Sequence, residues 1–172
     1  MGEEKRRLEN TEETLYVTDA IVDDRQYACK PYTHIVISKN VKLIDQYAFF
    51  ACRSLKSIAF EDESSLKFIG NNAFASCSKL ESIDIPDSVK FMGYSAFDSC
   101  SSLKTVKLPN DLDVIPTMMF ADCTSITKLE IPDSVGYIHS TAFMDSGLKS
   151  LSLPEHTYID KLIPAGINII RR

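Results

Sequence analysis

Five cysteines stand on one ladder, Cys29, Cys52, Cys77, Cys100 and Cys123, separated by 23, 25, 23 and 23 residues. Thiols at a fixed period have three chemistries open to them: pairing as disulfides, holding a metal, or packing as small apolar groups. Neighbouring strands of a sheet lie about 4.8 Å apart, and disulfides accept Cα separations of about 4.4 to 6.8 Å, so distance alone permits bridges. Three features favour unpaired packing thiols instead. Five cannot pair completely, Ser146 takes the next rung, and free Cys is commonly a small buried hydrophobe. A metal is disfavoured because neither a CxxC nor a neighbouring His accompanies the ladder.

Other reactive side chains do not converge. His34, His139 and His156 fall at different offsets within the period, and no HExxH, GxSxG or phosphate-cradling glycine loop occurs. The acidic pairs Asp23-Asp24 and Glu61-Asp62 lie in loop-like stretches where solvated charge is the ordinary explanation. The expectation is a protein without catalytic activity and without a cofactor.

Composition narrows the class further. The 172 residues, 44% apolar and 25% charged, suffice for one continuous core and show no bias towards disorder. A net charge of -5 argues against nucleic acid, which needs clustered Lys and Arg. The longest charged stretch, Glu3 to Glu13, mixes both signs and reads as a solvated lead-in. No apolar run behind a basic start marks a signal peptide. Leu162 to Ile170 is interrupted by Pro164, Gly166 and Asn168 and is too short to span a bilayer, which takes roughly 20 apolar residues. The expectation is a chain that does not insert in membranes, cytoplasmic if it is the whole product and surface-borne or secreted if a leader has been removed.

The elements that must position these residues follow from the same period, which marks a solenoid. Eight residues before each rung stands Ile21, Ile44, Ile69, Met92, Ile115 or Ile138, and three before it, from the second rung onward, Phe49, Phe74, Phe97, Phe120 or Phe143. Each repeat opens on an alternating segment such as Ser82-Ile83-Asp84-Ile85, the signature of a short half-buried strand, which Pro86, Pro109, Pro132 or Pro154 closes. The closing half places apolar residues at i, i+4, i+5 and i+8, as in Met92, Ala96, Phe97 and Cys100, which predicts one face of a short helix.

About five coils of 23 residues are legible between Tyr32 and Pro154, with two extra residues near Glu61 to Ser65. The ends depart from the pattern. Ile21 to Cys29 keeps the Ile-to-Cys spacing with Gln26 in the Phe position, which predicts a degenerate capping repeat within residues 1–31. Beyond the solenoid of residues 32–154, residues 155–172 form a second cap, in which Tyr158, Leu162, Ile163, Ile167 and Ile169 are expected to cover the exposed end of the core.

The recurring I-P-x-S-V, I-G-x-x-A-F and Cys motifs resemble the BspA-like class of leucine-rich repeats from about Ile21 to Pro154. That resemblance implies a leucine-rich repeat solenoid, α/β or mainly β with short helices on its convex side. It also implies a non-enzymatic protein-interaction module that binds through a curved sheet, with a surface or secreted adhesin for host or matrix components as the alternative. The general consensus expects Asn or Cys eight residues after the first Leu; here Asn40, Ser88, Asp111 and Ser134 stand there, with Ser65 displaced by the insertion.

The outward strand positions form two columns: His34, Ser57, Ser82, Thr105, Lys128 and Ser150, then Val36, Ala59, Asp84, Lys107, Glu130 and Ser152. Their inward neighbours stay apolar throughout, so variation is confined to a face that need not stack. His34, Val36, Asp84, Thr105, Lys107, Lys128, Glu130 and Ser152 are the candidate partner-binding residues, for another protein or for a glycan or matrix component. Neither column carries the aromatic anchors that dominate interface hot spots.

Overall fold

Alternation of apolar and polar residues puts one strand at the opening of every coil, and a second, two-residue strand follows it. In the computed structural model, which describes residues 13–160, 163–164 and 166–172, the first strands in chain order are β1 (Thr14–Val17), β2 (Ile21–Val22), β3 (His34–Ile37), β4 (Leu43–Ile44), β5 (Ser57–Phe60), β6 (Phe68–Ile69) and β7 (Ser82–Asp84). The chain continues with β8 (Phe91–Met92), β9 (Thr105–Lys107), β10 (Val114–Ile115), β11 (Lys128–Glu130), β12 (Tyr137–Ile138), β13 (Ser150–Leu153), β14 (Tyr158–Ile159) and β15 (Asn168–Arg171). Odd-numbered strands stack in parallel along one face and even-numbered strands along another. This is a parallel-strand β-solenoid of about seven turns. Two more coils close than the five legible by period, because both presumptive caps enter the ladders: β1 pairs β3, β2 pairs β4, and β13 pairs β15.

No helix forms among the described residues. The closing half of each coil is a ribbon of tight turns, because two residues per coil take a left-handed backbone that no α-helix accommodates. Tyr47 and Ala51, Asn72 and Ser76, Ser95 and Ser99, and Met118 and Asp122 all have φ between 53° and 62°. Each such residue costs about 1–2 kcal/mol against the right-handed form, and a cross-coil ladder offsets it. Tyr47, Phe49 and Ala51 donate to the carbonyls of Asn71, Ala73 and Ala75 on the next coil at 2.8–2.9 Å, while Ala48, Phe50 and Cys52 donate within their own coil to Asp45, Tyr47 and Phe49. Alternate N–H groups therefore serve the turn and the stack, which leaves few buried donors unmet.

Inside, the rings of Tyr27, Phe49, Phe74, Phe97, Phe120 and Phe143 form one stack, with centroid separations of 5.4, 5.2, 5.4, 5.8 and 6.0 Å and planes within 10° of parallel. Tyr27, and not Gln26, thus holds the aromatic position of the first coil. That coil sits one residue out of the register counted from the cysteines. Val22 faces inward and is fully buried, Ile21 points out and is 51% exposed, and a one-residue slip of this kind exchanges the faces of a strand. At the other end Ile163 and Ile167 pack against the core, whereas Tyr158 and Ile169 are exposed and do not serve as a cap. Leu162 and all of the charged lead-in except Glu13 lie outside the described residues.

Each ladder is interrupted once. Asp45, Gly70, Gly93, His139 and Asp160 each donate to the preceding coil, at Val22, Ile44, Ile69, Ile115 and Ile138. Pro116 occupies the same position and has no N–H to give, so β8 and β10 belong to separate sheets. One step later β9 and β11 separate as well. There the bond made by Lys56, Glu81, Lys104, Lys149 and Asn168 to the residue one coil back has no counterpart from Thr127 to Lys104.

Candidate functional site

The break between β9 and β11 opens the first sheet where its outward columns carry most charge. Val106, whose counterparts Ile35, Ile58, Ile83, Leu129 and Leu151 are all buried, is here only half-buried. Two adjoining hollows of about 570 and 550 Å³ lie over the break. One is walled by Lys107, Asn110, Glu130, Asp133 and Arg172, the other by Lys104, Thr105, Lys128, Glu130, Ser150 and Ser152.

Five of the residues expected from sequence therefore meet in one groove: Thr105, Lys107, Lys128, Glu130 and Ser152. Asp84 is paired in register with Lys107 on the adjoining strand. His34 and Val36 sit on β3, three strands from β9 in sheet order, and take no part in the groove; the Nδ1 of His34 and the hydroxyl of Ser57 are hydrogen-bonded at 2.7 Å.

Arg172, beyond the repeats, completes the wall. From the end of β15 its guanidinium crosses two strands, donating to Asp133 Oδ1 at 2.6 Å, to Ser152 Oγ at 3.2 Å and to the carbonyl of Ile131, with Glu130 Oε1 3.6 Å away. The groove thus presents Lys107 and Lys128 as cations without an ion pair among the described residues, beside acids already engaged by Arg172. No repeat position signals this residue. Asn110 and Asp133, which follow the strand-closing prolines, add two further polar groups.

Reactive groups elsewhere do not build a second centre. The buried thiols of Cys52, Cys77, Cys100 and Cys123 donate to the carbonyls of Tyr27, Phe49, Phe74 and Phe97 one coil back, at 3.1–3.4 Å. Burial pushes the Cys52 thiol up to about 11 and that of Cys123 up to about 12, and lifts Cys77 and Cys100 well above the ordinary value too. They are packing groups and poor nucleophiles. Cys29 departs from the ladder: its coil is out of register, Lys30 stands at the position equivalent to Cys52 and is itself exposed, and Cys29 is exposed with φ 58°, the left-handed backbone that Ala51 has in the next coil. No cluster of three potential metal ligands occurs among the described residues. Nor is any helix there long and apolar enough to cross a membrane. Of the small polar positions, Ser134 donates to the carbonyl of Leu112 one coil back, as Thr157, 23 residues on, does to that of Val135, and the buried Ser88 hydroxyl has no partner among the described residues.

The family model for the BspA type leucine rich repeat region matches residues 20–149 in six copies. No curated protein matches the chain. Among solved structures, the pneumococcal vaccine antigen PcpA is similar at a TM-score of 0.76 and 24% identity, over 84% of this chain and 41% of that one. A leucine rich cell surface protein of Faecalibacterium prausnitzii gives 0.63 and 21%, over 92% and 59%. The Treponema pallidum leucine rich repeat protein gives 0.66 and 26%, over 80% and 72%. The chain therefore spans about two fifths and three fifths of the first two.

Proposed function

The chain belongs to the BspA-type leucine-rich repeat family, whose members typically mediate protein interactions, and from that premise we propose that it is a non-enzymatic module that takes a protein partner in the groove between β9 and β11. The observation that carries this reading is the convergence there of Lys107 and Lys128 with Glu130, Asp133 and Arg172. Opposed charges at fixed positions orient and steer a partner even where they add little to affinity. A half-buried Val106 and the exposed Ile170 supply an apolar surface within the groove.

The partner proposed is a protein segment with acidic residues facing Lys107 and Lys128. In a pull-down with the whole chain, the double variant Lys107→Glu, Lys128→Glu should lose the partner, while Lys90→Glu and Lys149→Glu, outside the groove, should retain it. The reverse ranking would move the site to another face. The second reading, an adhesin for host or matrix components, draws on two fold neighbours described as a vaccine antigen and a cell surface protein. Retention of the chain by immobilised matrix proteins, abolished by the same double variant, would select it.

A further inference from the structure

A second apolar surface lies outside this groove. It is a ridge along the even-numbered strands, one residue before each inward aliphatic. Leu43, Phe68 and Phe91 follow one another in register, as do Val114, Tyr137 and Tyr158, and Ile21 heads the line. Phe68 is 46% exposed, Phe91 61% and Tyr158 56%. Isolated exposed hydrophobes are ordinary, but two aligned groups of them, either side of the break between β8 and β10 and with Leu43 and Tyr137 half-buried among them, mark an interaction surface.

The geometry of the rings limits what can sit there. Phe68 and Phe91 stack at 5.1 Å with planes 7° apart, and Tyr137 and Tyr158 at 5.8 Å and 10°. Each ring spends one face on its partner, which leaves less ring face for a sugar, since sugars stack on faces. One flank holds Lys42, Lys67 and Lys90 on successive coils and then changes sign at Asp113, with Asp111 beside it in an ion pair to Lys90. An acidic polymer would be held by the first half and repelled by the second. The other flank is neutral beside the middle coils, with Gly70, Gly93, Pro116 and His139.

We propose that a second copy of this chain covers the ridge, the two ridges running antiparallel about a twofold axis between Phe91 and Val114. That operation sets Phe91 against Val114 and Phe68 against Tyr137 of the other copy, so that each contact pairs apolar or aromatic side chains. It also sets Lys90 of each copy against Asp113 of the other. At about 4.8 Å per coil the ridge is about 29 Å long, and a stable dimer buries about 800 Å² on each side. The flanks must therefore take part, which is what places the lysines and Asp113 inside the interface. The isologous arrangement closes and leaves no free patch to propagate.

Sedimentation equilibrium of the full chain tests this. The expected result is a concentration-dependent dimer of the 19.3 kDa chain, abolished by Phe91→Asp. Lys90→Glu and Asp113→Lys should each weaken it roughly tenfold by juxtaposing like charges. Mixing these two single variants should restore it, because every facing pair across the axis is then again of opposite sign. A chain monomeric up to about 1 mM would overturn the proposal, as would a dimer indifferent to Phe91→Asp, or a mixture no tighter than its components. Monomer retained by polyglutamate through Lys42 and Lys67 would also overturn it, and would assign the ridge to an acidic polymer. Phe91 and Asp113 are exposed and the Lys90 side chain is 41% exposed, so unchanged circular dichroism separates loss of association from loss of fold.

Discussion

Cys100 donates its thiol hydrogen to the carbonyl oxygen of Phe74, 3.3 Å away on the coil before. The same bond recurs from Cys77 to Phe49 and from Cys123 to Phe97, so the two most regular columns of the sequence, thiols and rings, are tied to each other and define the interior.

Alkaline stability follows from those thiols. Their folded pKa values lie above the ordinary value of 9.0, because burial disfavours the thiolate. The protonated thiol is thus the form the fold retains. The stabilisation is complete below about pH 9 and is lost as pH rises towards 11–12 and beyond, since the unfolded chain releases protons that the folded chain holds. Urea midpoints measured from pH 8 to pH 11 should fall steeply. Cys100→Ser, which keeps a donor for Phe74 but does not ionise in this range, should flatten the slope by about one proton.

Thiol accessibility divides four to one. Cys29 should react with a chromogenic disulfide reagent at once, and Cys52, Cys77, Cys100 and Cys123 only after unfolding. Five fast equivalents, or intact-mass evidence of a disulfide in the native protein, would contradict the burial described here.

Removing one ring from the middle of the stack should be costly. Phe97→Ala is expected to destabilise by about 3–5 kcal/mol, the usual penalty for a fully buried Phe. Asp84→Ala, exposed on β7, should change stability by less than about 0.5 kcal/mol. Denaturation midpoints of the two variants provide the comparison.

Two glycines should behave oppositely. A Cβ on Gly70 would lie 2.5 Å from the backbone nitrogen of Gln46, so Gly70→Ala forces two coils apart and should cost about 1–3 kcal/mol. At Gly136 the nearest such neighbour is 4.0 Å away, and alanine there should stabilise by about 0.4–1 kcal/mol by restricting the unfolded chain. Thermal midpoints moving in the same direction would refute this reading of the coil contacts.

The period made the core legible because stacking repeats the same demand at every coil: Phe74, Phe97 and Phe120 meet identical surroundings, and so do Cys77, Cys100 and Cys123. It misled at the first coil, where Ile21 and Cys29 keep the ladder's spacing while Val22 and Tyr27 occupy its inward positions. Counting from the aromatic residues, Tyr27 to Phe49, recovers the true register. The turn ribbon was hidden because spacing of i, i+4, i+5 and i+8 suits a helix and a chain of turns equally. Left-handed backbone at Tyr47, Ala51 and Met118 carries no glycine to announce it. Reading that half as a helix also concealed the second row of strands and with it the exposed ridge of Phe68 and Phe91. Arg172 could not be found by repetition, since it acts across coils from outside the repeats.

The two interrupted ladders lie one step apart, with Leu103–Ser125 between them. That coil is bonded to its predecessor through β9 and to its successor through β10. Under tension along the axis, load carried by one sheet must transfer to the other within this single coil. At both of its boundaries the turn ribbon and the widest ring spacings, Phe97 to Phe120 and Phe120 to Phe143, carry what the missing strand bonds do not. Pulling on the two ends should therefore part the chain here first, into two blocks of coils, and not unravel it progressively from one end.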